Sequence, residues 1–340
     1  MYKNLDKILR YSLIKICLMP VSIFIIASLV FLLLRIAPGG PCDAMLGTSA
    51  DELRRQSCRA DYGLNDPLLN QYLSYLFDLL HFNLGKSVSN EEPVLNIIMR
   101  SLPASIELGI FSIIFAALIG FPLGFLGLKK KGTKYDYFSR ITGISSYAIP
   151  PFWGAMMAQL IFSVMLGIFP IGGRFPIFYQ APQKTGFLIL DSILSNNLFA
   201  LQSAIFHLLL PSITLGFLLS GIFSRSLRIN LDRSLKSDYF EAAVCRGINN
   251  RNLILNYAIP NSLLPILTIS GLTIASLAGG ALFIEITFSW PGIAMKLQEA
   301  IFQRDYDMVQ GIAIVTSVLI VTINLFIDIF ISLVDPRIDY

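Results

Sequence analysis

Long apolar runs, separated by short polar segments, set the pattern of this chain more than any local alternation does. Six of them reach the roughly 20 residues that a helix needs to cross a hydrocarbon core. They are approximately Ile16 to Leu34, Ile106 to Leu128, Ile141 to Phe169, Ile205 to Phe223, Leu263 to Phe283 and Met308 to Val334. The third and sixth exceed that length, which predicts tilting, kinking or projection beyond the bilayer. Pro150-Pro151 predicts a bend or local break in the third run, and Pro20 and Pro122 are further kink positions. Ser270, Gly271, Ala275, Ser276, Ala278, Gly279, Gly280 and Ala281 make the fifth run rich in small residues, which favours close helix packing. Glu107 and Asp328 are ionisable and lie near run ends, where snorkelling or pairing accounts for them.

The segment between the first two runs is polar enough to carry structure of its own. Proline and glycine in Ala37-Pro38-Gly39-Gly40-Pro41 stop the first helix. Tyr62-Gly63-Leu64-Asn65-Asp66-Pro67 predicts a turn with an N-cap. From Leu68 to Phe82 the apolar spacing is helical, with Leu69, Tyr72, Leu73, Leu76 and Leu79 or Leu80 on one face. This is a short packing helix, or one lying on the membrane surface.

Composition agrees with a lipid environment. Hydrophobic residues make up 54% of the 340 and charged residues only 14%, and the mean hydropathy is +0.66, which excludes an ordinary soluble domain. Lys3, Lys7, Arg10 and Lys15 precede the first run, as in a signal peptide. The apolar stretch is too long for one, however, and Arg35 and proline follow in place of a cleavage site, so a retained anchor is expected.

Charge orients the runs. With both termini inside, the inner segments carry an excess of Lys and Arg, including Lys129-Lys130-Lys131, and the outer segments an excess of Asp and Glu. The expected fold is therefore an all-α polytopic membrane protein with about six transmembrane helices and cytoplasmic N and C termini. Residues 1–105 supply one membrane helix and an outer loop with an amphipathic helix, and residues 106–340 a five-helix core. On this topology Cys17 and Cys245 fall inside, whereas Cys42 and Cys58 share the outer loop. They either pair in an oxidising space or remain free thiols.

No catalytic or metal constellation emerges. His81 and His207 stand far apart. Gly85-Lys86-Ser87 looks like the tail of a phosphate-binding loop, but Leu80 occupies the place of its first glycine. Any hydrolysis of ATP must then come from another chain. The informative polar segment is 238–260. A helix starting at Ser237 or Asp238 runs through Glu241-Ala242-Ala243 and ends at Gly247; a second short one begins after Asn249 or Asn250 and leads to Pro260. This makes a compact knob below the membrane. Its alanines keep it slim enough for a groove, and Glu241, Arg246 and Arg251 are available for polar contacts.

Glu241-Ala242-Ala243, Gly247 and Ile259-Pro260 resemble the EAA loop that joins bacterial ABC importer permeases to their ATPase. Tyr257 and Ile259 depart mildly from it, standing where the family often has Ile and Leu. Arg35-Ile-Ala-Pro-Gly-Gly-Pro, Ser101-Leu-Pro-Ala-Ser-Ile-Glu-Leu, Glu285-Ile-Thr-Phe-Ser-Trp-Pro-Gly292, Arg304-Asp-Tyr-Asp-Met-Val-Gln-Gly311 and Val334-Asp-Pro-Arg337 resemble the peptide, dipeptide and nickel permease group. Tyr147-Ala-Ile-Pro150 and the ending Asp335 to Asp339 are similar to its microcin C and oligopeptide branch.

The resemblance implies a type I ABC importer-like permease in a bacterial inner membrane. Its partners would be a homologous permease subunit, two cytoplasmic ATP-binding subunits and an extracytoplasmic solute-binding protein. ATP and Mg would be used by the ATPase, with no cofactor on this chain. Asp238, Glu241, Ala242, Ala243, Gly247 and Pro260 would belong to the docking element. The implied cargo is peptide, and the alternatives are nickel or another small solute. An ion-coupled secondary transporter would need an internal repeat and a midplane ion site, and neither is visible.

Overall fold

The computed structural model describes every residue except 1, 38, 39, 47–50, 90, 130 and 335–340. Within helices, the side chains of 2–12, 44, 45, 61, 250, 264, 267, 268, 270, 272, 274–280 and 332–334 also lie outside the description. Pro38, Gly39, Lys130, the ending Asp335 to Asp339 and most small side chains of the fifth run are therefore outside the described residues.

Among the described residues the regular structure is helical, and the only β pairing is one bridge between Lys86 and Pro93. In order come α1 (Tyr2–Ile36), α2 (Pro41–Leu46), α3 (Glu52–Asp61), α4 (Leu68–Leu80), α5 (Val94–Lys129), α6 (Lys134–Ala148) and α7 (Pro151–Ala158). A π-helical stretch, Gln159–Met165, continues α7. Then follow α8 (Leu188–Leu194), α9 (Leu198–Leu235), α10 (Asp238–Cys245), α11 (Asn250–Leu253), a second π stretch (Ile254–Ala258), α12 (Ile259–Thr287), α13 (Ile293–Gln303) and α14 (Tyr306–Val334).

Among the described residues, four helical segments are long and apolar enough to cross a membrane: Leu13–Ile36, Val94–Lys129, Leu198–Leu235 and Tyr306–Ile331. The third apolar run is a sharper break than a kinked span. Its two halves, Lys134–Ala148 and Pro151–Met165, meet at 107° and would make a fifth crossing if taken together. Pro150 is extended (φ −59°, ψ 132°) and Pro151 opens α7, because a residue before proline is driven out of the helical region. The fifth run falls in α12, whose 29 residues suffice for a crossing.

The chain folds as two compact units. Met1–Leu9, Ala104–Pro291 and Ile323–Tyr340 form one, and Arg10–Pro103 with Gly292–Thr322 the other. In the first, Leu108, Leu208, Leu215, Ile284, Phe288 and Trp290 make the buried centre. Close packing rests on glycine: a Cβ at Gly120 of α5 would sit 2.6 Å from the Ser220 carbonyl oxygen, and one at Gly221 of α9 would sit 2.6 Å from that of Gly143. Small residues thus bring α5, α6 and α9 together, the packing mode expected of helices in lipid.

In the second unit Val94, Ile97, Ile98, Ile293 and Ile312 form the core. Helix α4 packs on α1: the Tyr72 hydroxyl lies 2.6 Å from Ser28 Oγ, Tyr75 stacks on Phe31, and Arg35 Nε donates to Gln71. Leu69, Leu73, Phe77 and Leu80 form an exposed stripe on α4. The expected cap takes a different form. Pro67 stands at the N-cap without a side-chain bond, and Gln71 Nε2 instead donates back to the Leu64 and Asp66 carbonyls. Asp305 is buried and fixes the start of α14, accepting from Ser87 Oγ at 2.6 Å, Val88 N at 2.9 Å and Met308 N at 3.1 Å. Ser87 is thereby committed to a structural bond. Cys42 and Cys58 are joined by a disulfide, with Cα atoms 5.9 Å apart.

Candidate functional site

Segment 238–260 is held by α9 above it. Ser237 is extended (φ −87°, ψ 153°) and its carbonyl accepts the Phe240 and Glu241 amides, starting α10. Its hydroxyl donates to the Ser234 carbonyl at 2.6 Å, and the Ser234 and Tyr239 hydroxyls bond to each other. Asp238 and Glu241 lie in the first turn, where a carboxylate suits the positive end of the helix, and both are exposed.

Ala242 is exposed, and Ala243 is the residue of α10 that is buried, so this helix turns one small side chain inward and one outward. Gly247 ends α10 with φ +73°. The Gly247 amide donates to the Val244 carbonyl at 2.9 Å and the Ile248 amide to that of Ala243 at 3.5 Å, which is the paired closure of a Schellman motif. No heavy atom comes within 4 Å of a Cβ built on Gly247. Glycine is needed there for its backbone conformation and not for space.

The second half departs from two separate short helices. After α11 the chain passes through π stretch 254–258 into α12 with no interruption, so one continuous helical segment runs from Asn250 to Thr287. Pro260 sits in the first turn of α12, directly after the π stretch. The wider π turn before it accommodates the ring. Leu253 and Ala258 are buried, whereas Arg246, Arg251 and Pro260 are exposed. The surface offered by the knob is therefore Asp238, Glu241, Ala242, Arg246 and Arg251, two acidic and two basic groups around a small apolar centre.

Three further sequence motifs meet in the same unit. Trp290 is buried and donates its Nε1 to the Ala104 carbonyl at 2.9 Å, and Ser105 Oγ donates to Glu285 at 2.6 Å. Glu107 accepts Arg174 at 2.6 Å and the Ile189 amide at 2.9 Å; Arg174 also donates to the Gly186 carbonyl and lies 5.9 Å from the Trp290 ring centre. Glu107 is thus paired. Nothing local to the sequence announced Arg174, because the pair is separated by 67 positions. Asp191, fully buried, closes the adjoining loop by accepting the Lys184, Thr185 and Gly186 amides and the Thr185 hydroxyl.

Among the described residues no group of His, Cys, Asp and Glu is placed to hold a metal. The family described as binding-protein-dependent transport system inner membrane component matches residues 112–340, and the corresponding N-terminal family matches residues 8–109. The chain is similar to the di/tripeptide transport system permease protein of Pseudomonas aeruginosa, at 33% identity over 93% of this chain and 95% of the relative. It is 35% identical to the dipeptide transport system permease protein of Alkalihalophilus pseudofirmus, covering 98% of this chain and 100% of the relative. To the oligopeptide transport system permease protein of Bacillus subtilis it is 33% identical, over 96% and 99%.

Proposed function

We propose that this chain, which belongs to the family of binding-protein-dependent transport system inner membrane components, is a pore-forming subunit of a peptide importer driven by a separate ATPase. It is a multi-pass protein of the bacterial inner membrane. The observation that carries the peptide reading is the likeness to dipeptide and oligopeptide permeases over nearly the whole of each chain. Residues 238–260 form the face that docks the ATPase. An exposed, slim, helix-glycine-helix knob fits a groove on a partner, and its two signs of charge fix the register of docking.

In the assembled machine a homologous permease subunit completes the path, two ATP-binding subunits attach on the cytoplasmic side with both chain termini, and a solute-binding protein delivers cargo from outside. ATP and Mg are handled by the ATPase. Its closure moves the knob, and the knob shifts the permease between outward-open and inward-open states. Cys42 and Cys58 lie on the outer face, where a disulfide persists.

Two measurements test this reading. Cells lacking the chain should lose uptake of radiolabelled dipeptide and regain it on complementation; loss of nickel uptake with dipeptide uptake intact would favour the small-solute alternative. Glu241→Arg and Gly247→Ala should leave the amount of chain in the membrane unchanged. The left-handed position costs an alanine about 1 kcal/mol, roughly a fivefold effect. ATPase recovered with the Gly247→Ala chain should fall by about that factor, and Glu241→Arg should lower it further. Undiminished recovery with both variants removes the knob from the docking surface.

A further inference from the structure

An open groove of about 1340 Å³ lies along the basic end of α9, walled by α6 and the start of α12. Its α9 wall is broad and includes Ser224, Ser226, Asn230 and Asp232. Within it Ile222, Arg225, Ile229 and Arg233 follow one another at intervals of three or four residues, so they share one helix face. Ile144, Ile269 and Leu128 complete an apolar floor, while Lys131, Arg140 and Arg228 add charge at the rim.

The carboxylates of this region are already engaged. Asp136 is buried between Arg140 at 3.0 Å and Arg228 at 2.7 Å. Asp232 is bonded to Lys236 at 2.6 Å and stands 4.0 Å from Lys131. Arg225 and Arg233 are exposed and have no ion pair or hydrogen bond from their guanidinium groups among the described residues.

Two guanidinium groups over an apolar floor, at the edge of a membrane helix, call for an occupant that is anionic at one end and hydrocarbon at the other. We propose that the α6–α9–α12 groove holds an anionic phospholipid. Its phosphate lies between Arg225 and Arg233, which are about 12 Å apart along the helix axis, and an acyl chain runs over Ile144, Ile222 and Ile269. Basic pockets between membrane helices select such headgroups, and arginine favours phosphate by its fork of donors. Ser139, Ser224, Ser226 and Asn230 also line the groove, but a peptide in transit would still lay most of its polar backbone on apolar surface. A neighbouring protein face would have to desolvate both arginines. The lipid meets neither cost.

The test uses the transporter purified in maltoside detergent, with phosphatidylglycerol, phosphatidylcholine of the same acyl chains and inorganic phosphate as probes. Phosphatidylglycerol should raise the melting temperature by about 4 °C or more, and the other two should not. In native mass spectrometry the double variant Arg225→Gln with Arg233→Gln should retain roughly tenfold less phosphatidylglycerol, and the pair of Arg→Lys changes should keep most of it. Equal stabilisation by phosphatidylcholine overturns the role of the phosphate. Equal stabilisation by inorganic phosphate makes the site one for a free anion, and displacement of the lipid by dipeptide assigns the groove to the cargo. If the double variant does not fold, the three probes on the unaltered chain decide the matter alone.

Discussion

At the scale of the residue, Asp191 shows how a single carboxylate fixes a loop. Burial pushes its pKa up, but the Thr185 hydroxyl and the Lys184, Thr185 and Gly186 amides outweigh burial, and the group titrates below the ordinary aspartate value. A depressed folded pKa contributes stability that is fully present above the unfolded value near about 3.9 and is lost as pH falls through the folded one. Limited proteolysis of loop 174–186 should accordingly be flat from neutral pH down to about 4 and accelerate below it. Asp191→Asn turns amide hydrogens towards amide hydrogens and should weaken the loop by about 1–3 kcal/mol at neutral pH, while removing the acid step. An asparagine variant as resistant as the parent would show that the carboxylate does not hold the loop. None of this was legible in the sequence. Asp191 reads there as one polar residue in an outer segment, and Arg174 gives no sign of a partner 67 positions away. The helix through Glu241-Ala242-Ala243 and its end at Gly247 were legible because helix start, helix stop and spacing are all local. Hydrogen bonds between distant segments depend on how helices pack, and an apolar run surrounded by lipid and protein has too little amphipathicity to reveal its neighbours.

At the scale of the element, Pro150-Pro151 was legible as a bend, but its size was not. A proline pair excludes the helical conformation at one residue and removes two amides; the angle then depends on packing around α7. The 107° break shortens the reach of this segment. A continuous helix would place residues 138 and 164 about 39 Å apart. Spin labels at these two positions, in a chain with Cys17 and Cys245 replaced, should report a much shorter distance. The distance should lengthen in a Pro150→Ala with Pro151→Ala variant, with transport reduced and membrane insertion retained. A distance unchanged by the double substitution would mean that packing, and not proline, sets the break. The fifth run was legible as a small-residue stretch, but the partner opposite it was not. A Cβ on Gly271 of that run would come 3.2 Å from Asn324 of α14, and tight approaches to backbone also occur at Gly120 of α5 and Gly221 of α9.

At the scale of the whole molecule, the long apolar runs were legible because membrane crossing imposes a length on each helix. The grouping of residues 292–322 with 10–103 was not, since it joins segments distant along the chain. The disulfide within that unit closes a loop of 16 positions, a length for which removal costs about 3 kcal/mol. Cys42→Ser with Cys58→Ser should lower the melting temperature of the intact transporter, and reductant should lower that of the parent but not of the variant. Full alkylation of all four cysteines without reductant would show that the thiols are free in the membrane.

The run of helix from Asn250 through the π turn to Thr287 has a mechanical consequence. It is a connecting rod roughly 55 Å long, with the knob at one end. At the other end the Thr287 carbonyl accepts Gln159 Nε2 at 3.1 Å, just where the broken segment passes into its π turn. If the knob docks the ATPase as proposed, a thrust delivered there travels along this unbroken helix, through Pro260 and Pro265, and reaches Gln159 in the half of the broken segment that follows the Pro150-Pro151 break. Cutting the rod with Gly-Gly at Ile254 and Leu255 should leave ATP hydrolysis running while the distance between labels at 138 and 164 ceases to follow it; a distance that still follows hydrolysis would show that the thrust travels by another route.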